Sequence, residues 1–180
     1  ENVVSMGAQA FRDNTAVKYV YLPKCKATSD KNFWQCYGLT NAVFSLEMTK
    51  LSDNAFYRCT ALKSFTPFLS DKLTSMGGGS AFYGCSVLTG SLRIASEALT
   101  SICGAAFLGA AGGFIGPVEI YSPIKTIGNT AFTSCKDLQV FNFYSDVTPS
   151  FGTDAIMVKN KNSRVIFYVH SNKVIDGWCA

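Results

Sequence analysis

The sequence predicts a repeat solenoid, in which each repeat supplies one short strand and the strands stack in parallel. Three observations predict this class: a dipeptide that recurs at near-constant spacing, a fixed set of residue types around it, and a short alternating segment after most copies. The composition agrees, because the 180 residues are 48% hydrophobic and only 16% charged. That balance suits a packed array of strands and turns and argues against disorder or long solvated helices.

The recurring dipeptide is Ala-Phe, with Asn32-Phe33 as a variant. Its Phe marks the centre of each repeat, and the six centres are Phe11, Phe33, Phe56, Phe82, Phe107 and Phe132. Neighbouring centres are 22 to 26 residues apart, a period typical of solenoids. Four repeats carry Cys three residues after the Phe and four carry Leu six residues after it, so the consensus is Ala-Phe-x-x-Cys-x-x-Leu. The fifth repeat departs from it, with Ala110 and Gly113 in place of Cys and Leu.

A short segment follows the Ala-Phe-x-x-Cys-x-x-Leu stretch in most repeats. In it, residues expected to face the interior alternate with residues expected to face outward. Clear examples are Val20-Tyr21-Leu22, Leu92-Arg93-Ile94 and Val118-Glu119-Ile120. Alternation with period two predicts a strand. Strands joined by roughly 20 residues must run parallel, about 4.8 Å apart, so we expect one continuous sheet.

The Ala-Phe segment is too short for a stable helix, and we expect it to form a single helical or 3₁₀ turn. Its Phe would point into the interior and stack on the ring of the next coil. No coil can bury its ring without a neighbour, so residues 1–180 are expected to fold as one domain. This domain comprises about six coils and a degenerate terminal unit over 147–180.

The longest uncharged run, residues 98–118, has the length of a membrane span. Five glycines and Pro117 within it disfavour a lipid-facing helix, and the repeat accounts for the same residues. The first residues lack a basic region followed by an apolar run. We therefore expect a signal peptide, and any membrane segment, to lie outside this chain.

The charge and the single histidine limit the chemistry that the chain can perform. The net charge of +4 is scattered, which gives little support to a nucleic-acid partner. With His170 as the only histidine, a Cys–His nucleophile would need Cys179, the nearest cysteine, and we expect no catalytic site, cofactor or metal. The run Gly77-Gly78-Gly79-Ser80 lacks the Lys of a phosphate-binding loop and is interpreted as a turn with one inserted residue.

The seven cysteines could form disulfides, bind a metal or pack as free thiols. Four of them share one position of the repeat: Cys36, Cys59, Cys85 and Cys135. This spacing favours a column of free buried thiols, because a small thiol packs well inside a coil. A disulfide between neighbouring coils and a zinc site remain the alternatives.

Two segments carry a resemblance to a known family: Ile127-Gly-Asn-Thr-Ala-Phe-Thr-Ser-Cys-Lys-Asp-Leu138 and Leu51-Ser-Asp-Asn-Ala-Phe-Tyr-Arg-Cys-Thr-Ala-Leu62. They closely resemble the BspA-like class of leucine-rich repeats, and the likeness covers almost the whole chain. The resemblance implies a right-handed leucine-rich-repeat solenoid, closed by a terminal cap that contains a last strand and Trp178. It further implies a surface-exposed or secreted protein that engages host proteins or other cells, without enzyme activity.

The outward-facing strand residues form the candidate partner-binding surface. The candidates are Tyr21, Thr66, Arg93, Glu119, Tyr121, Asn142, Tyr144 and Tyr168. Tyr beside Arg and Asn is a composition that serves protein recognition, although any solvated sheet face can show it. We therefore expect a non-catalytic interaction module, extracellular or on a cell surface, that binds an extracellular protein or glycan in adhesion or host-protein binding. A structural spacer with no ligand of its own is the alternative.

Overall fold

The computed structural model describes residues 2–67, 70–110, 113–135, 138, 140–157 and 165–171. These residues contain ten short strands and no helix. In chain order the strands are β1 (Tyr19–Leu22), β2 (Asn41–Phe44), β3 (Ser64–Thr66), β4 (Thr89–Ile94), β5 (Ser101–Ile102), β6 (Gly113–Ile120), β7 (Thr126–Ile127), β8 (Val140–Phe143), β9 (Ser150–Phe151) and β10 (Ile166–Val169). Every strand pair is parallel, as the repeat predicts.

One side of each coil, the strand side, carries the predicted ladder. It is not the single continuous sheet that we expected, because β1-β2-β3 form one sheet and β4-β6-β8-β10 another. The break has a local cause. Pro67, directly after β3, has no N–H with which to extend the ladder. The repeat distance across this break, 26 residues, is the longest of the array.

A second ladder, which the sequence did not predict, runs along another side of the coils. The two-residue strands β5, β7 and β9 pair in parallel, and isolated bridges continue the series toward the first coils. The uncharged run 98–118 falls into β5, an Ala-Phe turn and β6. Among the described residues, no helix has the length and apolar character that crossing a bilayer requires.

The turn segment, three residues on either side of each repeat Phe, is not the helical or 3₁₀ turn that we expected. The residues two before and two after each Phe have positive φ: Gln9 and Asp13, Lys31 and Gln35, Asn54 and Arg58, Ser80 and Gly84, Ala105 and Gly109, Thr130 and Ser134. Alternate N–H groups leave the turn altogether. The Phe33 N–H donates to the Ala55 carbonyl of the next coil at 2.8 Å. A helix would need those N–H groups for its own carbonyls, so the segment becomes a series of tight turns instead.

The predicted column of stacked Phe rings is confirmed. Ring centroids of successive repeat Phe residues lie 5.2 to 5.7 Å apart, with interplanar angles of 4° to 10°. Strand residues such as Phe65 and Phe141 meet the column edge-on, which is the other favourable aromatic geometry. The core is therefore a continuous rod of rings with the strand side on one flank and the turn segments on the other.

Two parts of the chain depart from the consensus repeat: the variant residue Asn32 and the degenerate terminal unit. Asn32, which replaces Ala, is fully buried, and its side chain accepts the Ser29 N–H and donates to the Gly7 carbonyl of the preceding coil. In the terminal unit the structure describes β9, the turn around Ala155 and β10. Trp178 and Cys179 lie outside the described residues, so the predicted cap stays a prediction.

Candidate binding surface on the strand side

The predicted outward-facing residues lie in register across neighbouring coils. In the first sheet Tyr21 pairs with Val43, which pairs with Thr66. In the second sheet the register column is Arg93, Glu119, Asn142 and Tyr168. The break between β3 and β4 therefore divides the candidate surface into two parts.

The second part has a feature that the strand register alone does not explain, a row of stacked planar groups. The Arg93 guanidinium carbon lies 4.6 Å from the centre of the Tyr121 ring. The Tyr121 and Tyr144 rings stack at 4.3 Å and 4°, and Tyr144 stacks on His170 at 4.2 Å and 9°. We call these four residues the Arg93–His170 row. It brings three predicted candidates together with one residue, His170, that the sequence analysis left out of the surface.

His170 could have been found from its position in the repeat. It follows Tyr168 by two residues, as Tyr144 follows Asn142 and Tyr121 follows Glu119. Three aromatic rings at one position of successive coils must stack, since the coils are one strand spacing apart. Tyr121 and Tyr144 were predicted as surface candidates, but the same position in the last strand, His170, was not.

The row carries polar groups at its rim, the Tyr144 hydroxyl and the Arg93 guanidinium. The pKa of Tyr144 is raised by partial desolvation in the stack, by its hydrogen bond with Tyr121 and by the nearby charge of Glu119. A tyrosine hydroxyl is protonated at neutral pH and can donate a hydrogen bond. Arg93 is exposed and makes no ion pair within the described part of the chain, so its guanidinium N–H groups face solvent.

The first sheet has no comparable row among its described residues. Tyr19 and Tyr21 are 74% and 65% exposed, but the register places Asn41 and Val43 beside them rather than further rings. Tyr21 and Thr66 are thus separated from the other six candidates by the break in the ladder. Of the predicted surface, the part in coils four to seven is the one with an organised array.

A second stacked row, which the sequence analysis missed, lies on the turn segments. Trp34 and Tyr57 stack at 3.9 Å, and Tyr57 and Tyr83 at 4.7 Å. The cationic groups of Arg12 and Lys31 lie about 6 Å from the Trp34 ring, at 6.0 and 5.9 Å. The signal was present, since these aromatic residues each follow a repeat Phe directly. The three rings of this row are half-buried.

The four cysteines at the shared repeat position, Cys36, Cys59, Cys85 and Cys135, lie inside the coils as expected and have low reactivity. We call them the column cysteines. Each donates its S–H to the carbonyl of the repeat Phe in the preceding coil, at 2.9 to 3.1 Å. Burial raises the pKa of the Cys36 thiol to about 11 and that of Cys135 to about 12, and raises the pKa values of Cys59 and Cys85 further. The six described cysteines are free. The raised pKa values keep the four column thiols protonated at neutral pH, whereas the nucleophile and metal ligand is the thiolate.

The described residues do not bring together three or more His, Cys, Asp or Glu side chains in a cluster that could hold a metal ion. The glycine run before Phe82 contributes to the coil contact, where the Gly78 N–H donates to the Asp53 carboxylate of the preceding coil. The hypothetical pair of His170 with Cys179 involves a residue outside the described part of the chain. His170 itself is engaged in the stacked row.

Comparisons with known proteins agree with this geometry. The sequence profile of the BspA type leucine rich repeat region matches in six copies, over residues 1–112 and 68–176. Among solved structures, a leucine rich cell surface protein from Faecalibacterium prausnitzii A2-165 superposes with a TM-score of 0.58 at 20% sequence identity. The match covers 89% of this chain and 48% of that one, so this chain spans about half of its length and shares its fold. No curated protein matches the sequence. The sequence profile covers most of the chain, which therefore belongs to the BspA type leucine-rich repeat family.

Proposed function

We propose that this chain is a non-catalytic interaction module of a secreted or cell-surface protein, and that it binds an extracellular protein or glycan in adhesion or host-protein binding. The Arg93–His170 row is the observation that carries the proposal. The family membership supports a repeat module that works through its surface, and the similar solved structure is described as that of a cell surface protein.

The row has the properties of a binding hot spot. Tyr and Arg are enriched among the residues that dominate interface energies. Stacking fixes the Tyr121 and Tyr144 rings before any partner arrives, so little side-chain freedom is left to lose on binding. The Arg93 guanidinium, which lies over the Tyr121 ring, offers directed N–H donors to a carboxylate or another oxygen-rich group.

The chemistry of the rest of the chain supports a module without a reaction centre. A catalytic thiol needs a lowered pKa and an adjacent base, whereas burial raises the pKa values of the column thiols. The only histidine is stacked between ring and solvent on the surface. These groups are arranged for packing and contact rather than for proton transfer.

Binding to arrays of extracellular-matrix proteins and glycans tests the proposal. The native chain is expected to bind at least one arrayed molecule, and the double variant Arg93→Ala/Tyr121→Ala to bind it at least about tenfold more weakly, as for the loss of hot-spot residues. Tyr37→Ala is the matched control, since Tyr37 is 42% exposed but lies outside the row. Equal affinities of the native chain and the double variant would rule out this surface.

The spacer alternative makes the opposite prediction in the same experiment. A structural spacer has no ligand, so the native chain would bind nothing on the arrays, and the double variant would differ from it only in stability. A melting curve of each variant separates a lost contact from a lost fold.

A further inference from the structure

The outward face of β6, β8 and β10 carries three columns of side chains that differ in chemistry. Residues two apart on a strand point to the same face, and the residues between them, such as Val118 and Phe141, are buried. One column is the Arg93–His170 row, whose rings directly follow the three strands. We call the others the polar column, which is Glu119, Asn142 and Tyr168, and the apolar column, which is Pro117, Val140 and Ile166. The polar column lies between the other two, about 7 Å from each.

The polar column offers unpaired groups on this face. Within the described part of the chain, the Asn142 side-chain amide makes no hydrogen bond and the Glu119 carboxylate makes no ion pair. The first sheet differs, because there the amide of Asn41 donates to the Ser64 hydroxyl of the next coil at 2.6 Å. Asn142 and Glu119 are both partly exposed, so the donors and acceptor of Asn142 and the acceptors of Glu119 are open to a ligand.

Asn142 has the chemistry that a peptide backbone requires. A primary amide matches a peptide group, since its oxygen accepts an N–H while its NH₂ donates to a C=O. An extended backbone that runs along the polar column can pair with Asn142 in this way and donate a further N–H to Glu119. The side chains of such a backbone leave on alternate sides, at right angles to its hydrogen-bonding groups. They therefore reach the apolar column on one side and the row on the other.

A glycan fits the same face less well. Sugars commonly pack their C–H faces against the open face of an aromatic ring. Tyr144 stacks on Tyr121 at 4.3 Å and on His170 at 4.2 Å, both nearly parallel, so neither face of its ring is open. A sugar would also place hydroxyl groups on the apolar column, whose side chains offer no hydrogen bond. A protein segment brings apolar side chains to that column instead.

Arg93 adds a preference for an acidic residue. It lies at the coil-four end of the face, is exposed and makes no ion pair within the described residues. A guanidinium pairs with a carboxylate through two directed hydrogen bonds. Complementary charge therefore places an Asp or Glu of the ligand at this end of the face.

We infer that the face binds an extended peptide segment of a partner protein, with an acidic side chain on Arg93, a backbone amide on Asn142 and an apolar side chain on the apolar column. The inference rests on the proposed function and narrows the partner from protein or glycan to protein. Coils four to seven span three strand spacings, about 14 Å, which is the length of about four extended residues. The segment in contact is therefore short.

Arrays of hexapeptides capped at both ends test the inference, with Glu, Gln or Lys fixed at one position in turn and a mixture of residues at the others. The labelled native chain is expected to bind the best Glu set at least about threefold more tightly than the matching Gln and Lys sets, the effect of one exposed charge pair. Arg93→Glu is expected to reverse the preference towards Lys, and Arg93→Gln to abolish it. Lys63→Glu is the matched control, since Lys63 is exposed beside β3, outside this face, and the preference for Glu is expected to persist.

The backbone contact has its own readout on the same arrays. Asn142→Ala is expected to weaken the binding of every peptide set about tenfold, through the loss of two hydrogen bonds. N-methylation of the peptide backbone removes the donors from the ligand side, and it is expected to weaken binding to the native chain by a similar factor.

Melting curves establish that each variant used is folded. A Glu preference that both Arg93 variants keep would overturn the inference, as would an Asn142→Ala chain that binds the peptides like the native chain. Binding of an arrayed glycan but of no peptide, weakened by Arg93→Ala/Tyr121→Ala, would overturn the inference and leave the proposed function standing. A native chain that binds neither peptides nor the arrayed proteins and glycans would overturn both.

Discussion

The column cysteine illustrates how much one small side chain contributes in this array. Its sulfur fills the interior beside the Phe column, and its S–H satisfies a carbonyl of the preceding coil. Both roles favour the neutral thiol, because a buried thiolate would lose water and gain no counter-charge. The direction of the pKa shifts follows from this placement.

We predict that these thiols make stability fall at high pH. The pKa of Cys36 rises from its ordinary value of 9.0 to about 11 on folding, and that of Cys135 to about 12. A group whose pKa is raised in the folded state contributes stability below its unfolded pKa and loses that contribution as the pH rises toward the folded value. The free energy of unfolding, measured in urea, is therefore expected to decrease between pH 9 and about 11 to 12.

The double variant Cys36→Ala/Cys135→Ala is the control for this prediction, since the tyrosines that also titrate at high pH are unchanged in it. Its free energy of unfolding is expected to fall less steeply over the same range. Equal slopes would mean that Cys36 and Cys135 do not contribute. At neutral pH the column thiols of the folded protein are expected to resist alkylation until denaturant is added.

At the scale of the element, coils are held at contact distance by glycines that follow the first apolar residue of a repeat. Gly7 and Gly128 occupy this same position. A Cβ on Gly128 would lie 2.5 Å from the Gly104 nitrogen of the preceding coil, whereas a Cβ on Gly7 would meet nothing within 4 Å. The difference arises because no described coil lies before Gly7.

This pair gives a matched prediction. Gly128→Ala is expected to destabilise the protein by roughly 2 kcal/mol or more, because backbone must move to relieve the contact. Gly7→Ala is expected to change the free energy of unfolding by less than about 0.5 kcal/mol, as at an open surface site. Chemical denaturation measures the free energy of unfolding of both variants. Similar decreases in the two variants would show that the contact between coils does not cause the destabilisation.

The elements differ in how far the sequence reveals them. Strands and the Phe column could be predicted because side-chain identity repeats with the coil, and a repeated Phe has only its copies to stack on. The turn conformation could not, since Lys31, Arg58 and Thr130 adopt positive φ without a glycine to indicate it. The break after β3 falls at Pro67, a residue that the repeat consensus does not contain. The members of the Arg93–His170 row other than His170 were predicted as surface residues. The stacking of its tyrosines on His170 was not predicted.

In the molecule as a whole, each coil is stabilised by the contact of its Phe ring with the rings of neighbouring coils. Phe82 stacks on Phe56 and Phe107 and touches Phe65 edge-on. Among the described residues, Phe11 stacks only on Phe33. We therefore predict that Phe82→Ala lowers the free energy of unfolding by about 3–5 kcal/mol, the cost of removing a fully buried ring.

Phe11→Ala is expected to cost clearly less, because an end coil can fray without opening the rest. Urea or thermal unfolding of the two variants, with Phe82→Leu as a conservative comparison, measures the difference. Equal losses at the two positions would contradict a linear array stabilised by nearest neighbours.

The forward-pointing hydrogen bonds of the turn segments also give the molecule an electrical direction. Three such bonds form at each of six junctions, and all eighteen N–H groups point toward the last coil. Aligned peptide units, each with a dipole of about 3.5 D, add along their common axis, whereas strand dipoles largely cancel. The first coil is the negative pole, the reverse of an α-helix, and every coil added to such an array lengthens the dipole by three peptide units.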